Sequence, residues 1–292
     1  MSDPSIAWDR DRLLLGLIGA GIQRSLTPAM HEREAAEHGL VCLYQLIDLE
    51  RLGLLPDALP DLLTAAERMG FSGLNITHPC KQLVLPLLTD LSGDARALGA
   101  VNTVVLREGR RWGHNTDWLA FSASFRRGLP GASIGRIVQL GAGGAGAATA
   151  YAMLKMGAGH ITILDLDASR GAALAARCSS VFGERRVSTS TDLKASLAAA
   201  DGLIHATATG MRGHPGSAVP CALLRGDLWV ADVVYFPLET ELLRAARTAG
   251  CQVLDGSGMA VYQAAEAFRL FSGLEPSAER MRRHFASMVQ SR

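Results

Sequence analysis

Neither sign of charge dominates this sequence. Lys and Arg number 29 against 28 Asp and Glu, for a net charge of +1. A balanced surface gives no field to draw in a nucleic acid or an acidic membrane, and a small molecule suits it better as partner. No CxxC occurs, and the five cysteines (Cys42, Cys80, Cys178, Cys221, Cys251) are scattered and odd in number. That argues against a disulfide framework and fits a reduced, cytoplasmic setting. The eight histidines form no HExxH and no Cys/His pair at zinc spacing, so no metal site is expected. Residues 1–12 lack the apolar core of a signal peptide. No apolar run reaches the ~20 residues of a membrane span. Internal repeats and low-complexity tracts are missing too.

What is present is a chain rich enough in apolar residues, 48% of 292, to bury a core. At ~100–200 residues per domain, that length predicts two domains. In the first part, residues 13–18, 44–47, 73–76 and 101–106 read as strands, and 29–38 and 82–88 as helices, the latter despite Pro86. Glu108-Gly109 can turn the fourth strand into a hairpin with Arg111-Trp112. Residues 128–135 read as a linker or surface loop. A second series follows. Short apolar runs at 137–140, 161–164, 202–206, 228–234 and 252–254 are separated by helical stretches, the pattern of a doubly wound parallel sheet. Residues 259–271 and 278–289 read as two amphipathic helices. The expected fold class is α/β in two domains, an N-terminal α/β domain and a Rossmann-type doubly wound sheet.

The run Gly141-Ala-Gly143-Gly144-Ala145-Gly146 matches GxGxxG between an apolar strand and an alanine-rich helix. The first glycine permits the tight turn, the second lets the backbone approach a pyrophosphate, and the third lets helix and strand pack closely. The helix N-terminus then offers N–H groups and partial positive charge to phosphates. Without a ligand, the same run is a tight strand-to-helix turn. Asp165 closes the next strand, 19 residues after Gly146, about where an acidic residue receives an adenosine ribose. It would repel a 2′-phosphate, and Leu166, not arginine, follows it. The cofactor expected is therefore NAD. The alternative is that Asp165 only caps the next turn.

Three segments of the first part stand out together. They are Ser25-Leu-Thr27-Pro28-Ala-Met-His31, Asn75-Ile-Thr77-His78-Pro79-Cys80-Lys81, and Gly99-Ala-Val-Asn102-Thr103 joined to Asn115-Thr116-Asp117. As an ordered set they resemble the shikimate dehydrogenase family, whose patterns are S-x-[ST]-P-x-x-H, N-[VI]-T-x-P-x-K, G-A-V-N-T and N-T-D. The likeness runs on through the glycine turn to Asp232-Val-Val-Tyr235, Asp255-Gly256, Met259 and Gln263. The strand end Asp165-Leu-Asp167 is similar to the NAD-using quinate/shikimate branch, where NADP-using members usually carry Asn-Arg-Thr.

The resemblance implies reversible oxidation of shikimate, or quinate, to the 3-dehydro acid, with hydride passing to the nicotinamide. It implies Lys81 and Asp117 as the catalytic pair. Loss of hydride from a C–OH carbon requires the hydroxyl proton to leave as well, which calls for a general base or relay. Lys81 either transfers the proton itself or polarises the oxygen while Asp117 relays it. Each also has a plainer reading, Lys81 as a solvated helix start and Asp117 as a helix cap.

Ser25 and Thr27, two hydroxyl donors on one turn, suit the substrate carboxylate, although Thr27 before Pro28 also suits an N-cap. Thr77, Asn102 and Gln263 are implied to bond ring hydroxyls. Tyr235 is either near the carboxylate or nicotinamide or a packed aromatic. By the same resemblance Gly144, Ala145, Arg170, Thr207 and Gly256 join Gly141, Gly143, Gly146 and Asp165 at the cofactor.

Two positions depart from the family. Trp118 follows the N-T-D aspartate where a small residue is usual, and either narrows the cleft or packs between domains. His205 replaces the asparagine of N-A-T-x-x-G, as a packed strand-end residue or a catalytic one.

The expected division is a substrate domain of residues 1–117 completed by 257–292, and an NAD domain of 118–256. Ligands are expected at the carboxyl ends of the NAD-domain strands. The expected partner is a shikimate-like ring hydroxy acid. None of these patterns encodes assembly, and a homodimer is the working expectation. Rival readings are a quinate or aminated-shikimate dehydrogenase and a non-catalytic NAD- or ligand-sensing regulator on the same fold.

Overall fold

A computed structural model describes residues 12–290. The leading segment read above for a signal peptide lies outside the described residues, Arg12 excepted. The chain divides into two compact units. One runs to Thr116 and resumes at Gln263, and the other is Asp117–Tyr262.

In the first unit the strands are β1 (Arg12–Gly19), β2 (Val41–Asp48), β3 (Gly73–Ile76), β4 (Asp90–Leu91), β5 (Thr103–Arg107) and β6 (Arg110–His114). Between them lie α1 (Thr27–Glu37), α2 (Leu49–Leu52), α3 (Leu59–Arg68), α4 (Cys80–Leu83) and α5 (Gly93–Leu98). The sheet order is β2-β1-β3-β5-β6-β4. β1 runs parallel to β2 and β3, while β3–β5 and β5–β6 are antiparallel.

Side chains alternate along β1, so both faces of the sheet are covered. Ile18 joins Leu63, Leu74, Val84 and Val104 on one face. Leu15 and Leu17 join Tyr44, Val105, Ala267 and Phe271 on the other. The β5–β6 hairpin forms as expected. Arg107 pairs with Arg110, and the two residues between them, Glu108 and Gly109, have φ of 54° and 68°. That is the left-handed pair a two-residue hairpin turn needs.

The helix expected over 82–88 is corrected. α4 ends at Leu83, and a tighter turn, Leu85–Leu87, follows. Pro86 has no N–H to give, and its ring crowds the preceding turn, so the α-helix stops ahead of it.

The second unit holds α6 (Asp117–Gly128), β7 (Arg136–Leu140), α7 (Gly144–Lys155), β8 (His160–Leu164), α8 (Ala168–Phe182), β9 (Val187–Thr189), α9 (Leu193–Ala198), β10 (Gly202–His205), β11 (Trp229–Asp232), α10 (Glu241–Thr248) and β12 (Gln252–Leu254). All six strands are parallel, in the order β12-β11-β10-β7-β8-β9. The order reverses between β7 and β10, and in such sheets ligands bind outside the strand ends at that crevice. Residues 128–135 are a surface loop inside this unit, from the end of α6 to β7.

α11 (Ser257–Ser272) carries the chain back to the first unit, and α12 (Ala278–Gln290) follows. Arg280 grips the buried Glu34 of α1 at 2.6 Å. All five cysteines are free thiols, and no helix among the described residues is long and apolar enough to cross a membrane.

Candidate active site

Strand register gathers the expected substrate residues of the first unit at one sheet edge. β1 and β3 are parallel, with Ile18 opposite Ile76. The loop after β1, which leads to Ser25 and Thr27, therefore leaves beside the turn that carries Thr77 and Lys81. β5 runs the other way, so its start, Asn102-Thr103, meets the end of β3, and Ile76 N–H donates to Asn102 O at 2.8 Å. β6 returns to the same edge, with His114 opposite Thr103.

The groups there hold one another. Ser25 Oγ donates to Thr27 Oγ1 at 3.0 Å and accepts Thr27 N–H at 3.2 Å. Thr27 is the first residue of α1, whose cap position is Leu26 and has no side-chain cap, so the capping alternative for Thr27 does not hold. Asn102 is buried; its Oδ1 accepts Thr116 N–H at 2.8 Å and its Nδ2 donates to Thr116 Oγ1 at 2.9 Å. Thr116 Oγ1 also lies 3.2 Å from Gln263 O. Half-buried Thr77 packs on Gly19, where a Cβ would come within 2.3 Å of its methyl. Lys81 sits half-buried in α4, and its carbonyl accepts Val101 N–H at 2.9 Å, tying that turn to the segment before Asn102.

One positioning residue of this unit had no signal in the patterns above. Asp48, buried at the end of β2, accepts from Gly21 N–H at 2.9 Å, Ile22 N–H at 3.0 Å and Gln23 Nε2 at 3.0 Å. Burial alone would push its carboxyl up, but these hydrogen bonds outweigh it and hold the pKa below the ordinary value. The loop leading to Ser25 thus hangs on one carboxylate.

In the second unit the glycine turn is built as a cradle. Gly141 has φ +99°, and a Cβ there would lie 2.4 Å from Ala206 O. A Cβ on Gly146 would lie 2.1 Å from Gly141 O. α7 starts after Gly143 with no side-chain cap and no acidic residue in its first turn, so its leading N–H groups are left for an anion. From beneath, buried Gln139 donates to Gly141 O at 3.0 Å and Gly146 O at 2.8 Å, and accepts from Thr149 Oγ1 at 2.8 Å. An apolar reading of residues 137–140 passes over this glutamine.

Asp165 closes one side of the turn. Its Oδ2 accepts Ala142 N–H at 2.7 Å, and its Oδ1 accepts Asp167 N–H at 2.9 Å. The cap of α8 is Asp167, not Asp165. Leu166 is fully exposed beside it. Arg170 reaches the turn from α8, its Nη2 3.2 Å from where a Gly143 Cβ would stand. Gly256 packs against the backbone after β11, 2.5 Å from Val233 O to an added Cβ. These residues fit a dinucleotide: a bare helix N-terminus, glycines where side chains would block approach, and polar side chains at the rim.

The comparisons agree with that geometry. Residues 17–104 match the shikimate dehydrogenase substrate binding domain, and 256–284 match the shikimate 5'-dehydrogenase C-terminal domain. A shikimate dehydrogenase (NADP(+)) of Streptomyces avermitilis is 56% identical, over 96% of this chain and 97% of its own length. The chain belongs to the shikimate dehydrogenase family. A quinate/shikimate dehydrogenase (NAD(+)) of Corynebacterium glutamicum is 49% identical, over 95% of this chain and 99% of the relative. The structure of quinate dehydrogenase from Corynebacterium glutamicum in complex with NAD superposes with a TM-score of 0.90 at 49% identity, covering 95% and 99% of the two chains.

The two departures from the shikimate dehydrogenase pattern have definite places. Trp118, buried in α6, meets Tyr151 of α7 edge-on at 5.5 Å, with Lys155 Nζ 4.2 Å from its ring centre. It packs within the dinucleotide-type unit. His205 is buried at the end of β10 between Asp232 and Thr207. Asp117 opens α6 and is buried, its charge at the end of the helix that favours an anion. Tyr235, 42% exposed, lies on the segment after β11.

Proposed function

We propose that this chain oxidises shikimate or quinate reversibly to the 3-dehydro acid, and that it prefers NAD. The unit ending at Thr116 and resuming at Gln263 is the proposed substrate domain, and Asp117–Tyr262 the proposed dinucleotide domain. The observation that carries the NAD preference is the Asp165 carboxylate bonded to Ala142 N–H at the rim of the glycine turn. A fixed negative charge there accepts hydrogen bonds from ribose hydroxyls and opposes a 2′-phosphate.

The nicotinamide, when bound, supplies the hydride acceptor. The chain's own residues do the rest. Ser25 and Thr27 bind the ring carboxylate through their hydroxyls. Thr77, Asn102 and Gln263 orient the ring hydroxyls, and Tyr235 borders the same substrate. The alcohol carbon gives up its hydrogen as hydride, the hydroxyl proton passes to the Lys81/Asp117 pair, and the C–O bond becomes a carbonyl.

A second reading, NADP use, has support of its own. Arg170 stands over the turn, and the Streptomyces avermitilis relative is named for NADP. Purified protein assayed with NAD and NADP against shikimate and quinate decides. We expect a higher kcat/KM with NAD, and a loss of about 10²–10⁴ in kcat for Lys81→Ala with NADH binding retained. A preference for NADP overturns the cofactor choice. Turnover of neither acid overturns the activity and favours a ligand-sensing role.

A further inference from the structure

β10 and β11 end side by side, with His205 opposite Asp232. Both side chains are buried, at 1% and 2% exposure. His205 Nδ1 lies 2.9 Å from Asp232 Oδ1, and its Nε2 lies 2.6 Å from Thr207 Oγ1. A carboxylate only accepts, so the Nδ1 proton points at Asp232. In the neutral ring, Nε2 then accepts the Thr207 hydroxyl, and Thr207 Oγ1 accepts Thr209 N–H at 3.2 Å. Asp232 is pinned in turn by Val234 N–H at 3.0 Å and by the Thr240 hydroxyl at 2.7 Å. The network therefore joins the loops after both strands.

Its outer end is the wall of the dinucleotide cradle. A Cβ on Gly141 would stand 2.4 Å from Ala206 O and 3.0 Å from the Thr207 methyl. Residues 206 and 207 thus lie directly against the first glycine of the turn, across the crevice between β7 and β10. Asparagine, which the family pattern carries at position 205, ends where the imidazole has Nδ1. It can meet Asp232 but has no atom at the place of Nε2.

We propose that His205 is a positioning residue of the cofactor site. Through Nε2 it holds Thr207 against Gly141, and through that contact it sets the affinity for the dinucleotide rather than the chemical step. The proposal rests on the reading of Gly141–Gly146 as the dinucleotide cradle.

The test is fluorescence titration of the purified protein with NADH and, in parallel, NADPH. The variants are His205→Asn, His205→Gln, Thr207→Val and the Asn/Val double variant, each with its melting midpoint. We expect His205→Asn and Thr207→Val each to weaken binding of the preferred cofactor about five- to tenfold, the worth of one hydrogen bond. The double variant should bind no worse than Thr207→Val, because two residues acting through one contact are not additive. His205→Gln, whose amide reaches toward Nε2, should recover part of the loss, and the KM for shikimate at saturating cofactor should not move.

Additive losses in the double variant overturn the proposal, as does an unchanged Kd in His205→Asn with only the melting midpoint lowered. If His205→Asn does not fold, Thr207→Val decides alone, since it leaves the His205–Asp232 pair in place, and an unchanged Kd there is equally fatal. Wild-type protein that binds neither NADH nor NADPH defeats the cradle reading itself, a different result from either.

Discussion

Asp165 has two jobs in the proposed function, holding the glycine turn and receiving the ribose, and only the second has a signal in the sequence. Its spacing from Gly146 marks a ribose-binding acid. Its bond to Ala142 N–H joins two segments 23 residues apart and leaves no local signal. The same holds for Gln139 and Asp48. Each is a polar residue at or near a strand end whose partners lie outside the strand, in the turn and α7 for Gln139 and in the loop after β1 for Asp48, so nothing in the strand itself announces it. By contrast, Ser25, Thr27, Thr77 and Asn102 stand out as candidates because their types and order match a family pattern.

The two jobs of Asp165 separate in Asp165→Asn. An amide keeps the shape and removes the charge. If Asp165 receives the ribose as proposed, the change loses charge-assisted bonds to it and relieves the repulsion of a 2′-phosphate. We expect kcat/KM with NAD to fall about 10- to 100-fold, as the loss of a hydrogen bond to a charged group implies. The value with NADP should fall less or rise. The ratio of the two efficiencies is the measurement, and a ratio that stays put removes Asp165 from the ribose.

At the scale of elements, most strands of both sheets were legible from two or more clustered apolar residues. β4 and β9 are the ones that escaped, because Asp90-Leu91 and Val187-Ser-Thr189 each hold a single apolar residue and so no run to detect, whereas β12, as short as β9, has Val253-Leu254. Parallel pairing in the second unit follows from strands alternating with helices, but the antiparallel β3–β5–β6 portion of the first sheet needs the pairing itself to be seen. The β7–turn–α7 element was legible throughout.

That element also yields a contrast. Gly146 is needed by the fold, since its Cβ would strike the Gly141 carbonyl at 2.1 Å, and backbone cannot step aside cheaply. Gly143 is different. Its φ of −75° and ψ of −167° suit any residue, and the nearest atom to an added Cβ is the tip of a flexible arginine at 3.2 Å. Gly143→Ala should therefore melt near the wild-type temperature yet lose affinity for NADH, because its methyl fills the approach to the pyrophosphate. Gly146→Ala should lose both. Calorimetry and NADH titration on the two variants check this, and equal affinity in Gly143→Ala and wild type would show that no phosphate passes there.

For the whole molecule, the balance of one buried histidine makes stability depend on pH. His31 lies in the first unit among Tyr44, Phe268 and Phe271, with ring centroids 5.0, 6.1 and 5.9 Å away. Neither ring nitrogen has a hydrogen-bond partner among the described residues. Burial lowers its pKa from 6.5 to about 3, because charge in that apolar site goes unpaid. The native protein therefore holds His31 neutral, while the unfolded chain protonates it below 6.5. Between those two values unfolding takes up a proton, so the stability this neutral ring permits is complete above pH 6.5. It then declines by about 1.4 kcal/mol per pH unit on acidification.

The carboxylates whose pKa values are lowered in the fold, such as Asp48 and Glu67, act in the same direction but only as the pH falls below about 4, the unfolded value. A comparison of pH 7.5 with pH 5 isolates the histidines. His114 and His284 also have lowered values, so the difference between wild type and His31→Leu is the part that belongs to His31. Urea unfolding at the two pH values should show a wild-type loss larger by about 2 kcal/mol than that of His31→Leu. The same loss in both proteins would mean that His31 is hydrated, or charged and paired, in the native state, and that the apolar packing around it does not exclude the proton.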